Sequence, residues 1–419
     1  MASRILFIHQ NFPGQFKHLA PALAARGHDV KALAITGQTL SGIQLIDYKP
    51  TRGTSNSIHP WVAEFETKVI RGEACGNAML ALRQQGWHPH LIIAHPGWGE
   101  SLFAKDIWPS AKMISFLEFY YAAQGTDVGF DPEFARSGFA EDARLRLKNA
   151  NNLLALEASD WGLSPTDWQR SSLPAFFRDR VSVIFDGINT DIVKPDPNVQ
   201  LSLGKANASD PSDQHRLRYG DEVITFVNRN LEPYRGYHVM MRALPAVLAA
   251  RPGARVLIVG GDGVSYGAKP PEGRSWKQIF LQEVEHALDM SRVHFLGNIP
   301  YAAYLKLLQL SACHVYLTYP FVLSWSCIEA LAAGCVVVGS QTPPVMEAIS
   351  HDSNGLLVDF FDTQALAQAV ITVLENPKAY VSHRQLARKL AIERYDLERV
   401  CLPAQLDLVG QWLPKHSAL

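Results

Sequence analysis

Short apolar runs alternate with stretches of helical spacing along most of this chain. Residues 5–8 form one buried strand by pattern. Phe16, Leu19, Ala20, Leu23 and Ala24 then recur at helical intervals until Gly27 ends the helix. Further strands fit residues 30–35, 91–94, 112–116 and 181–185, with helical stretches between them, including 140–159. The pattern fails over 196–220, where Pro, Ser, Asn and Asp occur without an apolar period, so a linker and surface loop are expected there. A second series follows. It predicts strand 223–227, helix 236–250, strand 255–259, a long loop 260–276, helix 277–288, strand 293–296 and helix 301–311. Strand 314–318 comes next, then a short helix ended by Gly334, strand 335–338, helix 363–375 and a helical tail over about 383–413. Strands alternating with helices predict parallel sheets covered on both faces. The expected fold class is therefore α/β, with two Rossmann-like halves. The expected domains are 1–195, a linker 196–220, a second domain 221–390 and a tail 391–419.

The length, 419 residues, fits that division. Hydrophobic residues make up 47% and charged residues 19%, as in an ordinary globular protein whose core needs no disulfide staples. A formal net charge of -1 gives no reason to expect a nucleic-acid partner. The five cysteines are scattered, odd in number and without zinc-ligand spacing, which points to a reducing cytosol and no metal site. The apolar N-terminal run is too short for a signal segment, and no run approaches a membrane span. The expected location is cytoplasmic, with peripheral contact at the inner membrane face left open. Arg144, Arg146 and Lys148 give helix 140–159 a basic face, but Glu141 and Asp142 dilute it, and a solvated face explains it.

Candidate chemistry sits where strands end. Residues 311–340 read strand, loop, helix, strand, with one acid, Glu329, in the helix. Beyond the carboxyl ends of parallel strands, such a position faces a ligand crevice. Ser326-x-x-Glu329 also has the form of a capping box, so a local helix-start role stands beside the ligand role. Asn228-Arg-Asn-Leu-Glu-Pro-Tyr-Arg-Gly236 follows a strand and carries two cations, Arg229 and Arg235, suited to a phosphate leaving group. Gly14 marks a tight turn after the first strand, and Gly260-Gly-Asp-Gly263 another after strand 255–259. His95 lies just past strand 91–94, and Glu118, Phe119, Tyr120 and Tyr121 lie just past strand 112–116.

Together these segments resemble the family-4-type retaining glycosyltransferases of the GT-B fold. That resemblance implies two Rossmann-like domains facing each other across a cleft, with a C-terminal helix crossing back to the first. It implies no cofactor and no metal, a UDP- or GDP-linked sugar as donor, and a glycan, lipid-linked, protein or small-molecule acceptor. Arg229 matches the family arginine, and Arg235 stands where lysine is usual. Glu329 matches the second of two glutamates, implying a hold on the donor ribose. Gly14, Gly261, Gly263, Leu296, Ser324, Trp325 and Ser326 fall at donor-binding positions. Glu118 stands where a histidine is frequent near the reacting sugar, so it joins the arginines as a catalytic candidate. His95, Tyr120 and Tyr121 are acceptor-side candidates. The chain departs from the pattern in two further places. Phe321 replaces the first glutamate, which usually contacts a sugar hydroxyl, and the loop after Gly263 carries a long insert through Trp276. A GT-B nucleotide-sugar epimerase and a nucleotide-sugar-binding pseudoenzyme are the rival readings. A nicotinamide oxidoreductase is disfavoured because the first strand lacks a Gly-x-Gly-x-x-Gly turn.

Overall fold

The computed structural model describes residues 2–203 and 215–414. One compact unit takes in the described residues up to Gly187 and from Glu398 onward; the other runs from Ile188 to Leu397.

In the first unit, seven strands pair in parallel: β1 (Arg4–Ile8), β2 (Asp29–Ala34), β3 (Ile43–Asp47), β4 (Leu91–Ala94), β5 (Lys112–Phe116), β6 (Trp161–Ser164) and β7 (Val181–Val183), in the order β3-β2-β1-β4-β5-β6-β7. Strand β1 shows why an unbroken apolar run was required. Ile5 and Phe7 enter one core with Phe16, Leu19 and Leu23, whereas Leu6 and Ile8 enter another with Met79, Ile92 and Met113. Successive side chains point to opposite faces, and both faces are covered. The covering helices include α1 (Leu19–Ala25), α2 (Ala63–Gln84), α3 (Phe139–Lys148) and α4 (Ala150–Ala158).

The pattern predicted one helix over 140–159, but the chain breaks it at Asn149. That side chain accepts from the Tyr121 amide at 3.1 Å and donates to the Tyr121 carbonyl at 2.6 Å, tying the break to the loop after β5. A side chain that pairs with distant backbone in this way is invisible to helical periodicity.

In the second unit, β8 (Gln200–Leu203) and β9 (His215–Arg218) pair antiparallel within the stretch read as linker and loop; residues 204–214 of that stretch lie outside the described residues. Six parallel strands follow: β10 (Val223–Asn230), β11 (Arg255–Gly261), β12 (Val293–Gly297), β13 (Cys313–Tyr316), β14 (Val337–Ser340) and β15 (Leu356–Val358), in the order β12-β11-β10-β13-β14-β15. The order reverses between β10 and β13, the switch point at which open α/β sheets bind ligands.

Helices α5 (Tyr237–Ala250), α6 (Trp276–Val284), α7 (Tyr301–Leu310), α8 (Trp325–Ala332), α9 (Thr363–Glu375) and α10 (Val381–Tyr395) flank this sheet. Two arginines of α10 fix the far end of α8. Arg388 donates to the Ala332 carbonyl at 2.9 Å, and Arg384 to the Gly334 carbonyl at 2.8 Å, so cations satisfy carbonyls that a helix C-terminus leaves open. The closing helix α11 (Leu402–Trp412) belongs to the first unit, where Leu406, Leu408 and Val409 join the core beside Phe16 and Leu23, and Gln405 donates to the Phe185 carbonyl at 3.1 Å.

Buried imidazoles set a pH dependence for this fold. His9 and His314 are 2% and 0% exposed, and burial holds both at about 4, with His95 adding to the effect at His9. Burial also lowers His18 to about 4. The unfolded chain takes up these protons near pH 6.5, so their stabilisation is complete above 6.5 and is lost as pH falls toward 4. Glu100, buried and raised to about 7, acts with the opposite sign, losing stability as pH rises from 4.5 to 7. Each fully buried imidazole contributes about 2 kcal/mol of lost stability by pH 5, so the histidines outweigh the single carboxyl. Thermal unfolding should show a lower midpoint at pH 5 than at pH 7; a level or rising midpoint on acidification contradicts this assignment.

Candidate active site

At its carboxyl end β10 shifts register after Val227 but still pairs at Asn230, and the backbone then leaves the sheet through Leu231 to Gly236. Arg229, next to the last residue of the strand, is exposed. Arg235, six residues on, is 5% exposed and closes a 3-10 turn that Gly236 ends at φ 68°. A Cβ at Gly236 would lie 2.3 Å from that of Leu317, so this turn needs glycine for both conformation and space. The Arg235 guanidinium donates to Thr318 Oγ1 at 2.7 Å and to the Val322 carbonyl at 3.1 Å. Two switch-point strand ends, those of β10 and β13, are thereby joined by a buried cation. Val322 lies just before α8, so the same cation stands beside that helix's amino end, which is itself positive.

Ser324, Trp325 and Ser326 form that amino end. The Ser324 amide donates to the Tyr316 hydroxyl at 3.0 Å, and its own hydroxyl lies 2.8 Å from that of Ser326. The helix begins at Trp325, so Glu329 is its fifth residue and the capping-box geometry does not form. Its carboxylate instead accepts from Tyr301 at 2.7 Å and from Tyr304 at 2.8 Å, both on the preceding helix α7. Tyr304 is buried and Tyr301 is 54% exposed. The sequence carried no signal for this contact, because the tyrosines stand 28 and 25 residues before the acid.

Three more predicted donor-side positions fall on the same sheet edge, whereas Gly14 lies in the first unit. Gly261 ends β11, Gly263 follows it, and Leu296 lies at the end of β12. Gly263 donates to Asn230 Oδ1 at 3.2 Å, and a Cβ on Gly261 would approach that oxygen to 2.8 Å, which requires the bare backbone. Phe321, at the position of the missing glutamate, is 3% exposed among Tyr234, Tyr266 and Tyr319.

The first unit gathers a second group of candidates. At the end of β1, His9 Nδ1 accepts from the Asn11 amide at 3.0 Å, so Nε2 carries the proton and donates to Gln15 Oε1 at 2.8 Å. A Cβ on Gly14 would fall 2.2 Å from that imidazole, and its φ of 48° also favours glycine. His9 was not expected from the sequence; a polar residue closing an apolar strand was the only signal. Its ring meets that of His95 edge-on at 5.4 Å.

His95 is 2% exposed, stacked on Trp98 at 4.2 Å, with Nε2 3.6 Å from Glu118 Oε2. Both line a cavity of about 240 Å³ with Trp98, Tyr121, Lys68 and Lys148. Lys148 sits over the Tyr121 ring at 3.9 Å, and Lys68 donates to the Lys148 carbonyl at 3.2 Å. Burial and the neighbouring Lys148 bring Lys68 down to about 8. Tyr120 packs against Leu117, Leu156 and Leu173, which also line this cavity, but is not itself a lining residue. Glu118, His95 and Tyr121 are therefore brought together, and Tyr120 is not. No described helix is long and apolar enough to cross a membrane.

Comparison with known proteins bears on the family and the fold. The pattern of the Glycosyl transferase family 4 group matches residues 26–193, and that of Glycosyl transferases group 1 matches residues 209–390. The chain is 23% identical over 405 residues to the glycogen synthase of Mycobacterium tuberculosis, an alignment covering 91% of this chain and 87% of that protein. It is 29% identical over 183 residues to the phosphatidyl-myo-inositol mannosyltransferase of Mycolicibacterium smegmatis, covering 42% and 41%. In structure it matches the sucrose-phosphate synthase of Thermosynechococcus elongatus with a TM-score of 0.70 at 17% identity, covering 98% and 99% of the two chains. It also matches Anabaena HepE in complex with UDP-glucose with a TM-score of 0.65 at 16% identity, covering 97% and 99%. Two parallel Rossmann-like sheets, matched family patterns over both halves and these neighbours lead to one conclusion: the chain is a glycosyltransferase of the family-4 type, with the GT-B fold.

Proposed function

We propose that this glycosyltransferase moves a sugar from a nucleotide-diphosphate sugar to an acceptor hydroxyl with retention of anomeric configuration and without a metal ion. One observation carries the reading. The Arg235 guanidinium and the amino end of α8 are assembled from the two strand ends that meet at the switch point of the second sheet, with the guanidinium bonded to the loop that starts the helix, and Arg229 stands exposed near the end of β10. Positive groups fixed in this way stabilise a diphosphate as it departs. Glu329 takes the ribose hydroxyls; its two tyrosine partners fix the carboxylate and leave lone pairs for them.

The acceptor oxygen attacks the anomeric carbon on the face that the phosphate leaves. The carbon–phosphate oxygen bond breaks, the new glycosidic bond forms, and the departing phosphate oxygen takes the acceptor proton. On the acceptor side, Glu118 orients the hydroxyl in the cavity that His95 and Tyr121 help to line. Replacing Glu118 by Gln should lower kcat/KM for the acceptor by roughly tenfold to a hundredfold while nucleotide affinity stays unchanged. An unaltered acceptor kcat/KM removes Glu118 from the mechanism. Proton NMR of the first-formed product tests retention: an anomeric coupling inverted relative to the donor refutes it, as does activity abolished by EDTA and restored by a divalent cation for the metal-free step.

Phe321 favours one second reading, a protein that binds donor without transferring sugar. Slow donor hydrolysis in the wild type that disappears in Arg229→Ala decides for the enzyme.

A further inference from the structure

Two departures from the family pattern are far apart in the sequence: Phe321 in place of a glutamate, and the long insert after Gly263. In the fold they form one cluster. The Tyr266 ring, carried by the insert, lies 5.2 Å from the ring of Phe321 and 5.1 Å from the Arg235 guanidinium carbon. Phe321 is 3% exposed and presents almost no surface to a ligand, whereas Tyr266 is 38% exposed. The insert is also held in place. Glu232, fully buried, accepts from the backbone amides of Ser265 at 3.0 Å, Tyr266 at 3.3 Å and Gly267 at 3.2 Å. Asn230 accepts from the Gly263 amide at 3.2 Å and donates to the Ser265 hydroxyl at 2.8 Å. A buried carboxylate satisfied by three amides is a strong local anchor. This anchor lies between the two arginines, after the strand that carries Arg229 and before the turn that carries Arg235.

We propose that Tyr266 is the donor-sugar contact of this chain, standing in for the carboxylate missing at position 321, with Glu232 as its positioning residue. The favoured donors are then nucleotide-diphosphate sugars that lay an apolar ring face on this phenol, deoxy sugars included. This inference rests on the donor-site reading above and refines it. Beside the group assigned to the diphosphate, the next part of a donor is its sugar, and a ring there gains by stacking on its C–H face. A carboxylate gripping a hydroxyl rejects an analogue lacking it strongly, whereas an aromatic wall discriminates weakly against such an analogue.

Calorimetry on the full chain tests this with UDP and GDP, the matching nucleotide-diphosphate hexose and its deoxy counterpart. The readout is the ratio of the Kd of the nucleotide to that of its sugar conjugate. The wild type should bind the conjugate more tightly than the nucleotide, and the deoxy conjugate within about threefold of the parent. Tyr266→Ala should cut the ratio at least fivefold while the nucleotide Kd moves less than twofold, and Tyr266→Phe should preserve it. Glu232→Gln should reproduce the loss together with faster hydrogen exchange over residues 263–268; if that variant does not fold, Asn230→Ala releases the same loop. A ratio unchanged in Tyr266→Ala overturns the proposal, as does a wild-type ratio near one, or a loop freed without loss of the ratio. Wild-type protein that binds neither nucleotide nor conjugate overturns the donor-site reading itself, and this inference with it.

Discussion

Arg229→Ala is expected to lower kcat for sugar transfer by roughly two to three orders of magnitude, the effect of removing one preorganised charge contact at a leaving group. The variant is informative because Arg229 is exposed, so its loss leaves the core untouched and the melting temperature close to that of the wild type. Arg235 is different. Its guanidinium is 5% exposed and bonded to Thr318 and the Val322 carbonyl, so Arg235→Ala removes a cation and also leaves two buried acceptors without their donor. That variant should lose activity and stability together, by about 1–3 kcal/mol for the latter. Arg235→Lys keeps the charge but not the fork of two bonds, and should fall between wild type and Arg235→Ala in kcat. Near wild-type turnover in Arg229→Ala and Arg235→Lys alike would remove the diphosphate clamp.

Glu329→Ala should produce the second largest effect, and it separates two meanings of the same carboxylate. Both oxygens accept from tyrosines, and the Tyr304 hydroxyl is buried, so truncation leaves a buried donor unpaired and costs about 1–3 kcal/mol of stability. A purely structural role stops there. A ribose contact adds a loss of nucleotide affinity of at least about tenfold, or 1.4 kcal/mol. The comparison that discriminates uses 2′-deoxy- and 3′-deoxynucleotides. The wild type should bind at least one of them more weakly than the ribonucleotide, and Glu329→Ala should bind all of them alike. Unequal binding that persists in Glu329→Ala assigns the ribose contact to another group.

Much of the fold was legible because buried parallel strands are simple to read. Each reads as a short, mostly apolar run followed by a turn and a helical period: the run is unbroken in β1, β4 and β11, and one polar residue interrupts it in β5, β10, β12 and β13. Strands β8 and β9 gave no such signal. They form a two-stranded antiparallel pair in a polar stretch, and only their partner, not their own pattern, makes them strands. The junction at Asn149 left no trace in the pattern either: the backbone there keeps helical dihedrals, and its side chain bonds to Tyr121, 28 residues away.

At the candidate site, the positions of Arg229 near the end of β10 and of Arg235 and Glu329 beyond strand ends could be placed by motif, but the partners of Arg235 and Glu329 could not. Nothing in local spacing indicates that Tyr301 and Tyr304 hold Glu329, or that Glu232 turns inward to bind an insert more than thirty residues on. His9 and Lys68 were missed because a single polar residue in an apolar setting carries no periodicity. Their burial beside other titratable groups becomes visible only in three dimensions.

Calorimetric titration of a panel of nucleotide-diphosphate sugars into the wild type and into Arg229→Ala tests donor binding at this turn. At least one uridine or guanosine diphosphate sugar should saturate the wild type at one site per chain, and the arginine variant should bind it at least tenfold more weakly. A wild type that binds no member of the panel, or a variant that binds as tightly as the wild type, would contradict the donor-site reading.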